Sequence, residues 1–159
     1  MDILCVMGKS CSGKSYYIKQ LCESDKEKYY YVRSRTTRAI RESDKDDIYS
    51  HKFVTNEQFD KEKHIMLLYK SPKGYYNYTT EEDFVDDKIN VYAIDPIAFM
   101  DMIDKYGDKW NIRGIYMNTD EDVRRERCIR RNENYSDEPH LDYSLIKDEY
   151  RKFVELLYD

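Results

Sequence analysis

The chain has 159 residues, 40% hydrophobic and 37% charged, with a formal net charge of −5. That length suits one domain with a real core, and the acidic balance excludes general affinity for nucleic acid polymers, whose phosphates need a basic excess. No signal peptide and no apolar run of membrane-spanning length is present, so a cytoplasmic protein with no membrane partner is expected.

The first element is an apolar run, Ile3 to Met7, whose near-continuous hydrophobicity predicts a parallel strand covered on both faces. Gly8-Lys9-Ser10-Cys11-Ser12-Gly13-Lys14-Ser15 follows and reads G-x-x-x-x-G-K-S. A helix over 14–23 comes next, with Tyr17 and Leu21, and Ile18 and Cys22, recurring four apart. Strand, tight loop and helix together make a phosphate site. Gly8 and Gly13 allow a tight turn and close backbone approach. The loop N–H groups, those of Ser10 and Ser12 included, then point inward, and the helix start adds about half a positive charge. Lys14 supplies a full charge for the β- and γ-phosphates of ATP, and the Ser15 hydroxyl is a ligand for Mg2+. The alternative is a bare glycine turn.

Tyr29 to Val32 predicts a short second strand. The stretch 33–41 holds Ser34, Arg38 and Arg41 and runs into an acidic loop, Glu42 to Asp47. Guanidinium forks beside hydroxyls suit a phosphate monoester; a solvated basic loop neutralised by those acids fits the residues equally. Ile48 to Val54 alternates weakly as a strand, and Thr55 caps a short helix through Phe59. His64 to Tyr69 is another strand, and 70–78 reads as a Tyr-rich loop. Thr79 or Thr80 caps a short acidic helix through Val85, where Glu81 to Asp83 suit the positive N-terminal end. The 17 tyrosines read as compositional bias.

Ile89 to Ile94 returns to the buried-strand pattern and ends at Asp95-Pro96. An acid there sits where doubly wound sheets bind ligands, or serves only as the cap of the next helix, 96–105. Ile112 to Met117 is a strand, and Thr119 with Asp122 reads as a capping box for a helix over 120–131. That helix carries five arginines in eight residues, with Arg124, Arg127 and Arg131 on one face. They are neutralised by neighbouring acids, or they close over a triphosphate. Residues 132–140 read as a flap. Ile146, Tyr150, Phe153 and Leu157 predict a last helix over 142–157. Cys5, Cys11, Cys22 and Cys128 lack paired spacing and read as reduced thiols, and no histidine spacing suggests a metal site.

The phosphate loop, then Ser34-Arg35-Thr36-Thr37-Arg38-Ala39-Ile40-Arg41, then Phe53-Val54, resembles the guanylate kinase family. The Tyr-rich segment 75–80 looks like its Y-Y-G-T stretch and Arg127 to Arg131 like its R-L-x-x-R lid motif. The resemblance implies an α/β fold: a phosphate-loop parallel sheet flanked by helices, with an inserted strand-rich acceptor-binding segment and a lid. The core would be 1–33 and 86–159, the lid about 130–141, and the acceptor insertion 34–85. The implied activity is ATP-dependent phosphorylation of a nucleoside monophosphate, GMP or dGMP. Lys14 and Ser15 would serve ATP and Mg2+. Ser34 would touch the acceptor base, Arg38 and Arg41 its phosphate, with Tyr76 or Tyr78 donating a hydroxyl there. Arg127 and Arg131 would stabilise the transferring group. Asp95 would face the base or the metal. A non-catalytic binding module and a kinase of a nucleoside or metabolite are the alternatives. The sequence departs from the family at four places. The guanine-reading glutamate falls on Leu67 or Tyr69. Paired acids reduce to Asp95 with Ala93. His51 replaces a strand tyrosine, with Tyr49 nearby. The family continues into another strand and helix where this chain stops at Asp159, so a core sheet one strand short is expected.

Overall fold

The computed structural model describes residues 1–158. Its main sheet is five-stranded and wholly parallel, in the order β2-β7-β1-β8-β9. The strands are β1 (Asp2–Met7), β2 (Tyr29–Tyr31), β7 (Ile89–Ala93), β8 (Asn111–Asn118) and β9 (Val154–Tyr158). Alternation along β1 sends Ile3, Cys5 and Met7 to one face and Leu4 and Val6 to the other. The first face packs under α3 (Pro96–Tyr106), where Phe99 is fully buried, and the second under α1 (Lys14–Ser24) through Ile18 and Cys22. Both faces are therefore apolar, as a parallel sheet between helices requires. Truncating Phe99 to Ala in such a core costs about 3–5 kcal/mol.

The second sheet has four strands in the order β4-β3-β6-β5. They are β3 (Arg35–Thr36), β4 (Lys52–Phe53), β5 (Ile65–Lys70) and β6 (Tyr76–Thr80), with α2 (Asn56–Asp60) between β4 and β5. Thr55 caps α2, its hydroxyl accepting from Gln58 N. The predicted strand 48–54 shrinks to two residues, and the predicted loop 70–78 is instead a turn leading into β6. Ser71 N donates to Tyr75 O there and closes a hairpin with β5.

The C-terminus differs most from expectation. Residues 142–157 are not one helix: after a turn at Tyr143–Leu145 and the single-turn helix α5 (Asp148–Arg151), the chain becomes β9. The apolar spacing is still used, because Ile146, Tyr150 and Phe153 pack on the α3 face while Leu157 joins the other. The edge of β8 presents unpaired N–H and C=O groups, and the Val154–Tyr158 backbone satisfies them in register. So the sheet gains a fifth strand where a helix was expected.

Candidate active site

β1 lies between β7 and β8, so its carboxyl end opens at the middle of the sheet. The phosphate loop begins there. A Cβ on Gly8 would meet Ser12 Oγ at 2.8 Å and Met117 Cβ at 3.0 Å, so only glycine permits this fold-back. Gly13 holds the left-handed conformation (φ 92°) at the helix boundary and gives α1 no side-chain cap. The first amides of α1 thus remain available to an anion. Lys14 Nζ reaches back to Gly8 O at 3.0 Å. Burial lowers the pKa of Lys14, opposed by the charges of Glu138 and Asp95. Ser15 is exposed at the first turn. Ser12 is buried and its Oγ has no hydrogen-bond partner. Thr119 does not cap a helix as expected: its hydroxyl donates to Ser12 O at 2.7 Å and braces the loop against the end of β8.

A carboxylate already sits at the loop's outer edge. Ser10 N and Ser10 Oγ both donate to Glu138, at 2.8 and 2.9 Å. Lys9, almost fully buried, is ringed by Asp142 (3.1 Å), Glu121 (3.3 Å) and Asp137 (3.4 Å). Burial pulls its pKa down, but these three carboxylates outweigh that and raise it to about 12. The loop therefore has the electrostatics of an anion site, and here the chain's own acids meet it.

The element between loop and lid is α4 (Glu121–Arg130), with Arg124 and Cys128 facing inward. Arg124 is 1% exposed. Its Nε donates to Ser10 O at 3.0 Å and its Nη2 to Ser136 O at 2.9 Å, while Glu121 and Glu138 accept from its fork. Arg124 thus clamps loop to lid and does not present its charge to solvent. Arg127 is half-buried on the same helix; Arg131, just past its end, is exposed. Arg130 pairs with Glu126. Cys11 and Cys128 were expected as separate reduced thiols. They are joined as a disulfide, with Cα atoms 5.8 Å apart, because folding brings the loop onto α4 across 117 residues of sequence. Their sulfurs and a Glu133 carboxylate oxygen lie within 4.8 Å, a grouping that could hold a metal only with both thiols free.

Across the cleft, the small sheet presents the acceptor candidates. Arg38 forms a two-point pair with Asp44 (3.1 and 3.2 Å) and lies over the Phe53 ring. Bonding to Arg38 holds the Asp44 carboxyl well below the usual carboxylate range. Asp44 of the acidic loop thus neutralises Arg38 in this structure. Arg41 is exposed, and its backbone N–H donates to Asp44 at 2.7 Å. Ser34 Oγ lies 2.7 Å from His51 Nδ1. Burial, and after it the charge of Arg38, lowers the pKa of His51.

Strand parity corrects the tyrosines. Tyr76 stacks on Phe59 (centroids 4.3 Å apart) and Tyr78 tilts against the same ring, so both face α2. Asn77, between them, pairs with Thr36 and Tyr69 on the opposite face. Neither hydroxyl, of Tyr76 or Tyr78, is brought to that face. The Asn77 amide oxygen is buried there without a partner. Of the two positions for the missing glutamate, Leu67 is in the core, whereas Tyr69 is 39% exposed. The pKa of Tyr69 is raised by burial, then by Tyr75 and Asp95. Asp95 accepts from Ala98 N at 2.8 Å as the cap of α3, and its charge is felt by both Lys14 and Tyr69. Asn77 was missed because Y-Y-N-Y-T-T was read as a loop; its alternation was the available signal.

The parallel sheet flanked by helices, with a phosphate loop at the carboxyl end of its central strand, defines a phosphate-loop α/β protein. The family model described as guanylate kinase matches residues 1–155, and the chain belongs to the guanylate kinase family. It is 29% identical over 177 aligned positions to the guanylate kinase of Campylobacter jejuni strain RM1221, covering 98% of this chain and 85% of that one. With the guanylate kinase of Helicobacter hepaticus it shares 28% identity over 136 positions, 81% of this chain and 66% of that one. Among solved structures, guanylate kinase from Anaplasma phagocytophilum superposes with a TM-score of 0.65 at 17% identity, covering 99% of this chain and 77% of that one. That likeness bears on the fold.

Proposed function

We propose that the protein transfers the γ-phosphoryl group of ATP to a nucleoside monophosphate, GMP or dGMP, giving ADP and the nucleoside diphosphate. One observation carries the reading. The loop at the carboxyl end of the central strand leaves the first amides of α1 without a side-chain cap and folds Lys14 back onto Gly8 O, the arrangement a polyphosphate needs. In the reaction an acceptor phosphate oxygen attacks the γ-phosphorus, and the bond to the oxygen bridging the β- and γ-phosphates breaks. Little covalent help is needed from the protein; positioning and charge neutralisation dominate.

The loop amides and Lys14 would hold the β- and γ-oxygens. Arg38 and Arg41 would hold the acceptor phosphate, Arg38 keeping its fork fixed through Asp44. Arg127 and Arg131 would approach from the lid. The donor set fits Mg2+: Ser15 supplies one hydroxyl at the loop's end, and a hard cation that keeps most of its waters asks for little more. When bound, Mg2+ would neutralise charge on the phosphate oxygens. Asn77 and Tyr69 would face the acceptor with neutral hydrogen-bonding groups where the family has a glutamate. Ser34 would reach the base through its His51-held hydroxyl.

A coupled assay of ATP consumption across the eight common nucleoside and deoxynucleoside monophosphates tests this. Turnover with GMP or dGMP is expected, and Lys14→Met should lower kcat by about two orders of magnitude or more, the scale of losing one key electrostatic stabiliser. No turnover with any of the eight, or unchanged turnover in the variant, would refute the assignment.

A further inference from the structure

The four cysteines divide into two kinds. Cys5 and Cys22 are buried in the core, and burial pushes both thiols up, Cys22 to about 11 and Cys5 further. Such thiols carry almost no thiolate near neutral pH and are inert. Cys11 and Cys128 are covered as well in the bonded state, 5% and 1% exposed, but they sit at the nucleotide machinery under a segment held in part by solvated ion pairs. Cys11 belongs to the phosphate loop and holds a left-handed backbone conformation (φ 61°) inside it. Cys128 lies on the inward face of α4, between Arg127 and Arg131. Their Cα separation of 5.8 Å falls within the range that a disulfide spans without backbone movement. Glu133 Oε2 is 3.6 Å from Cys11 Sγ, and Glu133 N donates to Cys128 O at 2.9 Å.

We propose that Cys11 and Cys128 are a reversible thiol–disulfide couple that controls entry of the triphosphate to the loop. The oxidant is a small disulfide such as oxidised glutathione. Cys11 loses its proton to Glu133 and thence to water, and its thiolate attacks one oxidant sulfur, displacing a thiolate. The thiolate just released takes the proton of Cys128, whose sulfur then attacks Cys11 Sγ in the mixed disulfide and displaces the second thiolate, which is protonated from water. Two protein thiols lose two electrons and two protons, and one small disulfide becomes two thiols. A dithiol reductant reverses the sequence.

The consequence follows from what the tie holds down. The bonded state fixes α4 against the loop, and the segment beyond α4 sets Glu138 on Ser10 and Asp137 on Lys9. Opening the bond leaves the cover held by hydrogen bonds and ion pairs alone, and Asp137 is largely solvated. The exposed pair gives way to a polyanion far more readily than a covalent link, and Arg124 keeps Glu121 as a partner when Glu138 leaves.

This inference rests on the loop's being the ATP site, so the experiment reads thiols and nucleotide separately. The full chain is equilibrated with oxidised glutathione or with dithiothreitol, denatured, and its free thiols are counted; two and four are expected. Titration with a fluorescent ATP analogue and Mg2+ should show at least tenfold weaker binding in the oxidised form, restored by dithiothreitol. Cys128→Ala should bind like reduced wild type in both conditions. Should that variant not fold, hydrogen exchange of wild type replaces it, with amides in 8–15 and 121–131 exchanging faster after reduction. Four free thiols after oxidation, exchange that ignores redox state, or affinity that ignores it overturns the couple and leaves the kinase assignment standing. No analogue binding in either state overturns both.

Discussion

Glu138 occupies the outer edge of the phosphate loop, so removing it should tighten ATP binding. Its carboxylate accepts from Ser10 N at 2.8 Å and Ser10 Oγ at 2.9 Å, donors a phosphate oxygen would otherwise use. Net hydrogen bonds to a charged group are worth about 1.5–3 kcal/mol each. Ser10 is exposed and Glu138 is 14% exposed, which discounts the pair of bonds to about 1–2 kcal/mol in total. Binding of a triphosphate must displace that, so Glu138→Ala should lower the Kd for Mg-ATP about 5–30-fold. Arg124 is not stranded by the change, because Glu121 still accepts from its Nη1 at 2.8 and 3.0 Å. The assay is titration of the fully reduced protein with a fluorescent ATP analogue, with Glu138→Gln as the neutral isostere of intermediate affinity. An unchanged or weaker affinity for Glu138→Ala would show that the carboxylate does not compete with nucleotide.

Two further outcomes are expected from the acceptor side. Arg38→Ala should raise the acceptor KM about 10–100-fold and leave the KM for ATP within a factor of two, since the proposed phosphate contact is lost at one substrate only; steady-state kinetics with each substrate varied decides it. Asp83 is fully buried and bonded to Lys52 at 2.7 Å and to Arg35 at 3.2 Å. Burial alone would raise its pKa, but Lys52, the Thr80 N–H and Arg35 outweigh that and lower it. A lowered carboxyl pKa contributes stability that is present above the ordinary value of 3.8 and lost as pH falls through the folded value. Denaturant midpoints should therefore drop below about pH 4 in wild type. Asp83→Asn should cost about 3 kcal/mol at pH 7 and flatten that acid limb. An equally steep limb in the variant would place the acid-sensitive group elsewhere.

The parts legible in the chain were those whose meaning is local. Gly8 to Ser15 carries its own turn chemistry, and the helix it opens begins within the same dozen residues. The strands around Ile3, Ile89 and Ile112 declare themselves because both of their faces are buried. The segments misread were those whose state depends on a partner distant in sequence. Val154–Tyr158 has a helical apolar spacing, yet becomes a strand because the edge of β8 needs a hydrogen-bonding neighbour. Tyr76 and Tyr78 turn from the cleft because pairing with β3 and β5 sets their parity, and a one-residue change of register would reverse every side chain in β6.

The amino-acid order alone determined the phosphate loop, the central strands and the family to which their combination belongs, since contacts within a few residues suffice to specify them. Only the tertiary structure decided that Arg124 is a buried clamp, that Glu138 faces the loop amides, and that Cys11 meets Cys128. Each of these joins residues more than a hundred positions apart, where no local spacing records the encounter.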